Sequence, residues 1–166
     1  MDEFKQPSGI LDVRVDDRMV HGIVATDWIP SLNATRAMVI DDAASKNDIM
    51  KTSIKMATPG GVASSVIDHE KAVTNIASNK YANQRVFCVF RTIESAYELF
   101  KAGVEIPKLN LGNVTQNSGE TIVLDKTVRV NSQEKAMLKE MRDAGVKITA
   151  RFRSSDSEND LSSALD

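Results

Sequence analysis

The sequence predicts a single α/β domain with an open, mostly parallel central sheet that is flanked by helices on both faces. Two observations favour this fold class. Apolar runs of strand length alternate, almost to the end of the chain, with segments whose apolar residues recur at helical spacing. In addition, 166 residues with 42% hydrophobic content are enough for one domain to bury a sizeable core.

The strands of this sheet are predicted from short runs rich in apolar and β-branched residues. The predicted strands cover residues 10–15, 36–40, 62–67, 85–90, 108–111, 127–130 and 146–150. Helices are expected in most of the intervening segments.

The helices are predicted from apolar spacing together with residues that cap helix N-termini. After Thr92, apolar residues recur at i, i+3, i+4 and i+7, so Thr92 is expected to be the N-cap of a helix. Asn131 is followed by Glu134 in the capping-box position of a second helix. Ser45 and Asp68 are the predicted N-caps of two further helices.

One domain is expected to cover residues 1–153. The remaining residues, 154–166, are polar and acidic and have few apolar side chains to bury. Such segments seldom gain enough from burial to offset the conformational entropy that is lost on ordering. We therefore expect residues 154–166 to form a flexible C-terminal tail.

The charge balance and the apolar pattern exclude some classes of function. Lys and Arg number 21 and Asp and Glu 23, so neither a basic field for nucleic acid nor a polybasic surface for anionic lipid is expected. No apolar run approaches the roughly 18 residues needed for a membrane span, and the N-terminus lacks a signal-peptide pattern. The single cysteine, Cys88, lies in an apolar run and suits core packing in a reducing compartment. These features predict a cytosolic protein with small-molecule or protein partners.

The loop after the first predicted strand, VDDRMVHG at residues 15–22, concentrates polar side chains at the strand end where ligands collect in open parallel sheets. A helix that begins near Gly22 would place His21 at its positive end, where backbone N–H groups favour an anion. Gly22 would also let a bulky group approach the backbone, and Arg18 offers a planar fork that suits phosphate oxygens. Because a neutral imidazole is a competent nucleophile, this loop suggests a histidine that carries a phosphoryl group.

Two alternatives follow from the same residue types. A histidine at a helix start is often an ordinary cap or surface residue. Alternatively, paired acids after a first strand suit Mg²⁺, so Asp16 and Asp17 could form the ion site of a receiver-like signalling domain with Asp68 as phosphoacceptor. That hypothesis assigns no role to His21 or Arg18.

The other candidate residues predict structural roles. His69 is expected to be exposed at a helix start, and two histidines with one cysteine supply no zinc-binding spacing, so neither a metal nor a cofactor is predicted. Trp28, seven residues after His21, is expected mainly to anchor its helix on the sheet. The loop at residues 113–119 follows another strand end, and it is equally compatible with a border of the His21 site and with a mobile connection.

The segment RVDDRMVHG at residues 14–22 closely resembles the active-site segment of enzyme IIB in the mannose family of the sugar phosphotransferase system (PTS). That segment has the form R-[IV]-D-[DE]-R-[LIM]-[IV]-H-G-Q. The similarity continues in three further blocks, at residues 57–62, 86–114 and 130–151, and so covers nearly the whole chain.

The resemblance implies an α/β domain whose histidine accepts a phosphoryl group from phosphohistidine on enzyme IIA. That histidine transfers the group to a sugar held by the membrane components IIC and IID. His21 matches it, which implies a protein-phosphohistidine–sugar phosphotransferase that is cytoplasmic and peripherally associated with its membrane transporter. In this family the membrane partners largely recognise the sugar, so mannose, fructose, sorbose and amino sugars are all compatible with the sequence.

The resemblance also assigns supporting residues to the site. The residues expected to bind the phosphoryl group are Arg14, Arg18 and Gly22. Asp16 and Asp17 match the acidic pair of the motif and are expected to support them.

One position departs from the motif. The family usually has Gln after His-Gly, whereas this chain has Ile23. An aliphatic side chain cannot make the hydrogen bond that an amide can make. A catalytically weakened IIB paralogue with a regulatory binding role is therefore a second hypothesis from the resemblance.

Overall fold

The computed structural model describes residues 8–116 and 119–166, so residues 1–7 of the predicted domain lie outside the described residues. The strands are β1 (Ile10–Asp16), β2 (Arg36–Ile40), β3 (Ala63–Ile67), β4 (Val86–Phe90), β5 (Lys108–Asn113), β6 (Ile122–Asp125), β7 (Val128–Val130), β8 (Lys147–Ala150) and β9 (Asn159–Asp160). In this part of the chain, seven strands form one sheet in the order β3-β2-β4-β1-β5-β8-β9. All neighbouring pairs are parallel except β8 and β9.

Helices connect most of the parallel strands. A segment of π-helix (Val24–Trp28) continues into the short helix α1 (Ile29–Ser31). The other helices are α2 (Asp42–Ser45), α3 (Asp48–Ala57), α4 (His69–Ala77), α5 (Ile93–Lys101) and α6 (Ser132–Asp143), with a 3-10 turn at Ser162–Leu165. No helix within the described ranges has the length and apolar character that are needed to cross a membrane.

The core has two parts, one on each face of the sheet. Successive strand residues point to opposite faces, so Val15 and Phe90 pack with α4, α5 and α6. Val39 and Phe87 pack on the other face with α2, α3 and the helical segment after β1. A strand buried on both faces requires a continuous apolar run, which β4 supplies. The predicted fold class is therefore confirmed.

Side-chain caps begin the helices as predicted at three of the four positions named above. Thr92 and Asp68 accept hydrogen bonds from backbone N–H groups in the first turns of α5 and α4. Asn131 and Glu134 form the capping box at the start of α6. The prediction for Ser45 is wrong, because Ser45 is the last residue of α2. The N-caps of α2 and α3 are Asp41 and Asn47.

Two segments differ from the predicted sheet. The predicted strand at residues 127–130 is not part of the main sheet, because β7 pairs with β6 in a separate antiparallel hairpin. The strand β6 was not predicted from the sequence. An isolated bridge between Val114 and Val128 joins this hairpin to the end of β5.

The C-terminal residues also differ from the predicted flexible tail. The strand β9 pairs with β8, and Glu158 forms an ion pair with the buried side chain of Lys108. Leu161 and Leu165 are buried in the core, with 2% and 0% of their surface exposed. Two leucines four residues apart therefore dock this otherwise polar segment on the sheet.

Candidate functional site

The strand order places the loop after β1 at the middle of one sheet edge. Strand β1 lies between β4 and β5, and the chain runs from β1 towards β2 on one side and from β4 to β5 on the other. The carboxyl ends of β1, β4 and β5 therefore meet where the winding direction changes. In open α/β sheets, this is the position at which ligands bind.

Alternating burial fixes the shape of this loop. The Asp16 carbonyl accepts a hydrogen bond of 2.9 Å from the Met19 backbone N–H, which closes a turn, and Met19 has φ of 59°. Met19 and Val20 are buried in the core, whereas Arg18 and His21 on either side of them are exposed. The two apolar side chains thus hold the loop on the domain and leave its arginine and histidine accessible.

His21 presents its imidazole ring at the surface. The ring makes no hydrogen bond or ion pair to any residue in the described ranges, and Gly22 beside it is also exposed. Gly22 adopts φ of 46°, a left-handed conformation that glycine reaches without steric cost. This turn leads directly into the helical segment, as the sequence predicted.

The start of that helical segment leaves few backbone N–H groups available to an anion. The N–H groups of Val24, Ala25 and Thr26 donate to the carbonyls of His21 and Gly22. The two preceding backbone N–H groups, those of Gly22 and Ile23, make no hydrogen bond to any residue within 8–116 and 119–166. These amides, which belong to residues 22 and 23, are the ones that could contact a phosphoryl group on the ring.

Arg14 does not occupy the position that was predicted for it. Its guanidinium is fully buried and donates from Nε and Nη2 to Asp16 Oδ2, at 3.3 and 3.1 Å, and from Nη1 to the Arg151 carbonyl, at 3.0 Å. Burial raises the pKa of Asp16 and lowers that of Arg14, while the ion pair opposes both shifts. The structure does not support Arg14 as a direct phosphate ligand. Arg14 instead supports the loop indirectly. It holds the Asp16 carboxylate, and Asp16 in turn accepts a hydrogen bond from the Arg18 backbone N–H.

A glycine in β5 makes room for this buried arginine. A Cβ atom at Gly112 would overlap the Arg14 guanidinium. The sequence carried a signal for this contact, since a glycine inside a strand often marks a close approach of another group. The partner could not be named from the sequence, because the two residues are far apart along the chain.

Asp17 connects the loop to the segment that follows β5. Its Oδ1 accepts a hydrogen bond of 2.7 Å from Asn113 Nδ2, and its Oδ2 accepts bonds from the Thr115 N–H and hydroxyl, at 2.8 and 3.0 Å. Oδ2 also accepts the Gln116 N–H at 3.2 Å. The predicted loop at residues 113–119 therefore borders the loop after β1 in its first part, whereas residues 117 and 118 lie outside the described residues.

Arg18 is the predicted arginine that remains available. Its side chain is 45% exposed, and its Nε lies 3.9 Å from Asp16 Oδ1, at the outer limit of an ion pair. A contact this long restrains the exposed arginine side chain only weakly. Arg18 and His21 are thus the exposed charged and nucleophilic groups of the loop, and Asp16 and Asp17 hold the backbone beneath them.

Trp28 anchors the helical segment, as predicted. Its indole is 1% exposed, stacks on Phe87 and donates from Nε1 to the Phe152 carbonyl at 2.7 Å. The guanidinium groups of Arg14 and Arg151 lie 5.0 and 5.1 Å from its ring centroid. These cation–π contacts place the indole next to the buried support of the loop rather than at the exposed site.

The receiver-like hypothesis is inconsistent with these contacts. Asp16 pairs with the buried Arg14 guanidinium, whose positive charge would repel a cation, and both oxygens of Asp17 accept hydrogen bonds from Asn113 and from residues after β5. Asp68 caps α4 after β3, which is separated from β1 by β2 and β4. Three strand spacings correspond to roughly 14 Å, too far for one ion to contact Asp68 and the acids after β1.

His69 differs from the exposed residue that was predicted. Its side chain is 17% exposed, and Asp42 and Ser95 accept hydrogen bonds from it. It lies after β3, at the same edge of the sheet as the loop after β1 but at the far side of it. The structure therefore does not bring the two histidines of the chain together.

Comparisons with known proteins identify the family of the chain. The family model for the PTS system sorbose subfamily IIB component matches residues 10–166. The PTS system sorbose-specific EIIB component of Lacticaseibacillus casei is 33% identical over 153 residues, which cover 92% of this chain and 93% of that protein. The PTS system mannose-specific EIIAB component of Escherichia coli (strain K12) is 31% identical over 143 residues, covering 86% of this chain and 44% of that protein.

A solved structure gives the same result. The IIBSor domain of the sorbose permease from Klebsiella pneumoniae superposes with a TM-score of 0.86 at 29% sequence identity, covering 94% of this chain and 95% of that domain. The fold, the loop after β1 and the sequence similarity over nearly the whole chain agree. The chain belongs to the sorbose subfamily of PTS IIB components.

Proposed function

We propose that this chain is a phosphocarrier that acts through a transient phosphohistidine at His21. A phosphohistidine on enzyme IIA donates the phosphoryl group, and a sugar bound by the membrane components IIC and IID accepts it during uptake. The observation that carries this proposal is the exposure of His21 and Arg18 on a loop whose backbone is anchored by buried neighbours. A protein donor needs an exposed acceptor, and this loop presents one without local unfolding.

The chemistry consists of two phosphoryl transfers. A neutral nitrogen of the His21 ring attacks phosphorus, so that a new N–P bond forms as the N–P bond to the IIA histidine breaks. In the second step, an O–P bond forms between a sugar hydroxyl and the phosphorus as the N–P bond to His21 breaks. The hydroxyl proton is released to solvent, and the His21 ring is neutral again. Such transfers depend on in-line positioning and neutralisation of charge more than on covalent machinery.

Arg18 supplies the neutralising charge in this proposal. Its side chain is exposed, lies three residues from His21 and can place two parallel N–H donors on phosphoryl oxygens. The amides of Gly22 and Ile23 supply further donors at the start of the helical segment. Arg14, Asp16 and Asp17 act indirectly by holding the loop in position.

The partners follow from the family and from the relatives. The chain is a IIB component, and the Escherichia coli relative is named as an EIIAB component, which supports an IIA protein as the donor. Transfer to a sugar in a transporter requires the chain to dock at the cytoplasmic face of IIC and IID. We therefore propose peripheral association with the membrane through those components.

The second candidate is a weakened IIB paralogue that binds partners for regulation. The observation that favours it is Ile23, which stands where the family usually has Gln and is half-buried next to the site. The two candidates differ in one measurable property, since a regulatory paralogue would take up phosphate slowly or not at all.

The test is incubation with phosphorylated IIA, followed by mass measurement of the intact chain and mapping of the modified residue. We expect one phosphoryl group on His21, lost in acid and retained in base, as for a phosphoramidate. An acyl phosphate on aspartate would be labile in base instead. Unchanged uptake by a His21→Ala protein would contradict the proposal, and His69→Gln is the matched control because it removes the other histidine.

A further inference from the structure

A second cluster of ionisable side chains lies at the same edge of the sheet, away from His21. Asp42 begins α2 after β2, His69 begins α4 after β3, and Glu98 lies in α5 after β4. One nitrogen of His69 and one oxygen of each carboxylate lie within 4.8 Å of one another. Three separate connections of the parallel sheet thus bring a histidine and two carboxylates together.

Ser95 fixes which nitrogen of His69 faces the carboxylates. The Nε2 atom lies 2.8 Å from the Ser95 carbonyl oxygen and 3.0 Å from Ser95 Oγ. Ser95 Oγ donates its own hydrogen to the Ile40 carbonyl at 2.9 Å, so towards His69 it can only accept. Nε2 must therefore carry a hydrogen, and the ring presents Nδ1 to the two acids.

The Nδ1 atom can hold either a proton or a metal ion. It lies 2.8 Å from Asp42 Oδ1 and 3.6 Å from Glu98 Oε2. Without a metal, these acceptors favour a proton on Nδ1 and hence an imidazolium ring. A histidine that ligates a metal through one nitrogen usually donates the other N–H to a carbonyl or carboxylate, which is the arrangement that Ser95 provides here.

The spacing of the donor atoms also suits a small divalent ion. Ligand atoms about 2.0–2.2 Å from a tetrahedral zinc are roughly 3.3–3.6 Å apart. The two separations from Nδ1, 2.8 and 3.6 Å, and the limit of 4.8 Å for the whole cluster span this range. The side chains of Asp42 and Glu98 are 57% and 51% exposed, so an ion can enter and water can complete its coordination. Asp42 Oδ1 also accepts the His69 backbone N–H, and a carboxylate oxygen has a second lone pair for another contact.

We propose that Asp42, His69 and Glu98 bind one divalent transition-metal ion, such as Zn²⁺, through Nδ1 of His69 and the two carboxylates. Binding exchanges the proton on Nδ1 for the ion, so the protonated ring releases one proton and no electrons move. The ion links the first residues of α2 and α4 to the C-terminal half of α5. The ligands come from three segments of the chain, which explains why their sequence spacing predicted no metal site.

The charges around His69 set the pH dependence of this exchange. Burial alone lowers the pKa of His69, but the hydrogen bonds to Asp42 and Ser95, together with the charge of Glu98, raise it above its ordinary value. Lys46 acts on the same cluster by lowering the pKa of Asp42, as does His69 itself. Because a proton and the ion compete for one nitrogen, metal affinity increases with pH across the titration of His69.

The test is titration of the full, chelator-treated chain with Zn²⁺ near neutral pH, with binding followed by calorimetry. We expect saturation at one ion per chain, with binding weakened at least about tenfold in Glu98→Gln and unchanged in Glu94→Gln. Glu94 is the matched control because it is an exposed acid one turn earlier on α5. The His21→Ala protein should bind as the unmodified chain does, since its remaining histidine is His69.

A second measurement needs no variant and so does not depend on the folding of one. In ¹⁵N NMR spectra of the unmodified chain, Zn²⁺ should shift the Nδ1 resonance of His69. The Nε2 resonance should keep the chemical shift of a protonated nitrogen. The absence of saturable binding, or binding that leaves the His69 Nδ1 resonance in place, would overturn the proposal. Loss of binding in His21→Ala would do the same, because it would assign the ion to the other histidine.

Discussion

The Arg14 guanidinium and the Asp16 carboxylate form an ion pair of 3.1 Å in which the two side chains are 0% and 1% exposed. Arg18, four residues after Arg14, has a side chain that is 45% exposed. Two arginines of one motif thus have opposite environments. A buried pair fixes the geometry of the loop, whereas an exposed arginine can reach a ligand.

This difference predicts opposite results for the same substitution at the two positions. Arg18→Lys should lower the rate of phosphoryl transfer because lysine lacks the planar fork, and it should change the free energy of unfolding by less than about 0.5 kcal/mol. Arg14→Lys should lower that free energy by about 1–3 kcal/mol, since buried hydrogen bonds to Asp16 and Arg151 are lost. Chemical denaturation and transfer from IIA would measure the two effects. Unfolding of the Arg18→Lys protein would show that Arg18 is structural.

Gly112 is predicted to be required for the Arg14 side chain. In Gly112→Ala, the new methyl group would overlap the Arg14 guanidinium, and the displacement should cost about 1–3 kcal/mol of stability. Gly60→Ala is the matched control, because a Cβ atom there meets open space and its φ is not in the left-handed region. Equal thermal stability of the two variants would contradict the close approach.

The C-terminal segment is predicted to contribute to stability. Leu165→Ala removes a fully buried side chain from the core and should lower the free energy of unfolding by about 2–5 kcal/mol. Ser163→Ala changes an exposed position two residues earlier and should have almost no effect. Denaturation curves of both proteins measure this free energy. A Leu165→Ala protein as stable as the unmodified chain would support the flexible tail that the sequence predicted.

The stability of the metal-free chain is predicted to depend on pH through His69. Although burial lowers the pKa of His69, its hydrogen bonds to Asp42 and Ser95 raise the pKa above the ordinary value of 6.5. A raised pKa in the folded state means that protonation stabilises the fold. This contribution is fully present below pH 6.5, the ordinary value, and is lost as pH rises through the higher pKa of the folded state.

The corresponding measurement compares melting temperatures of the unmodified and His69→Gln proteins, both treated with chelator, from acidic to alkaline pH. The difference between them should be largest at the acidic end and shrink as the pH rises. A difference that is constant across this range would show that the His69 proton does not contribute to stability.

Ile23→Gln is predicted to produce a modest gain in transfer from IIA. The amide could add one polar contact to the phosphoryl group, worth on the order of 1 kcal/mol and hence several-fold in rate if it is made in the transition state. The comparison uses equal protein and donor concentrations. If the unmodified chain is inert and Ile23→Gln accepts phosphate orders of magnitude faster, the regulatory paralogue is favoured. Equal rates would show that residue 23 has no role in transfer.

Local sequence patterns determined most of the fold. The strand predicted at residues 36–40 has those bounds in the structure, and the caps at Asp68, Thr92 and Asn131 are present. Each of these features depends on residues that are close together in the sequence, so spacing and residue type are sufficient to predict it. The hairpin strand β6 and the docking of β9 depend on distant partners and were missed.

The candidate site divides in the same way. The sequence by itself determined that His21, Arg18 and Gly22 share one loop at a strand end, because neighbours in the chain remain neighbours in the fold. Only the tertiary structure decided that Arg14 is buried beneath that loop, that Asp17 binds the segment after β5, and that three connections place two acids around His69. Burial and hydrogen bonding are set by which strands lie side by side, and the strand order joins residues that are up to 137 positions apart, as in the contact of Arg14 with the Arg151 carbonyl.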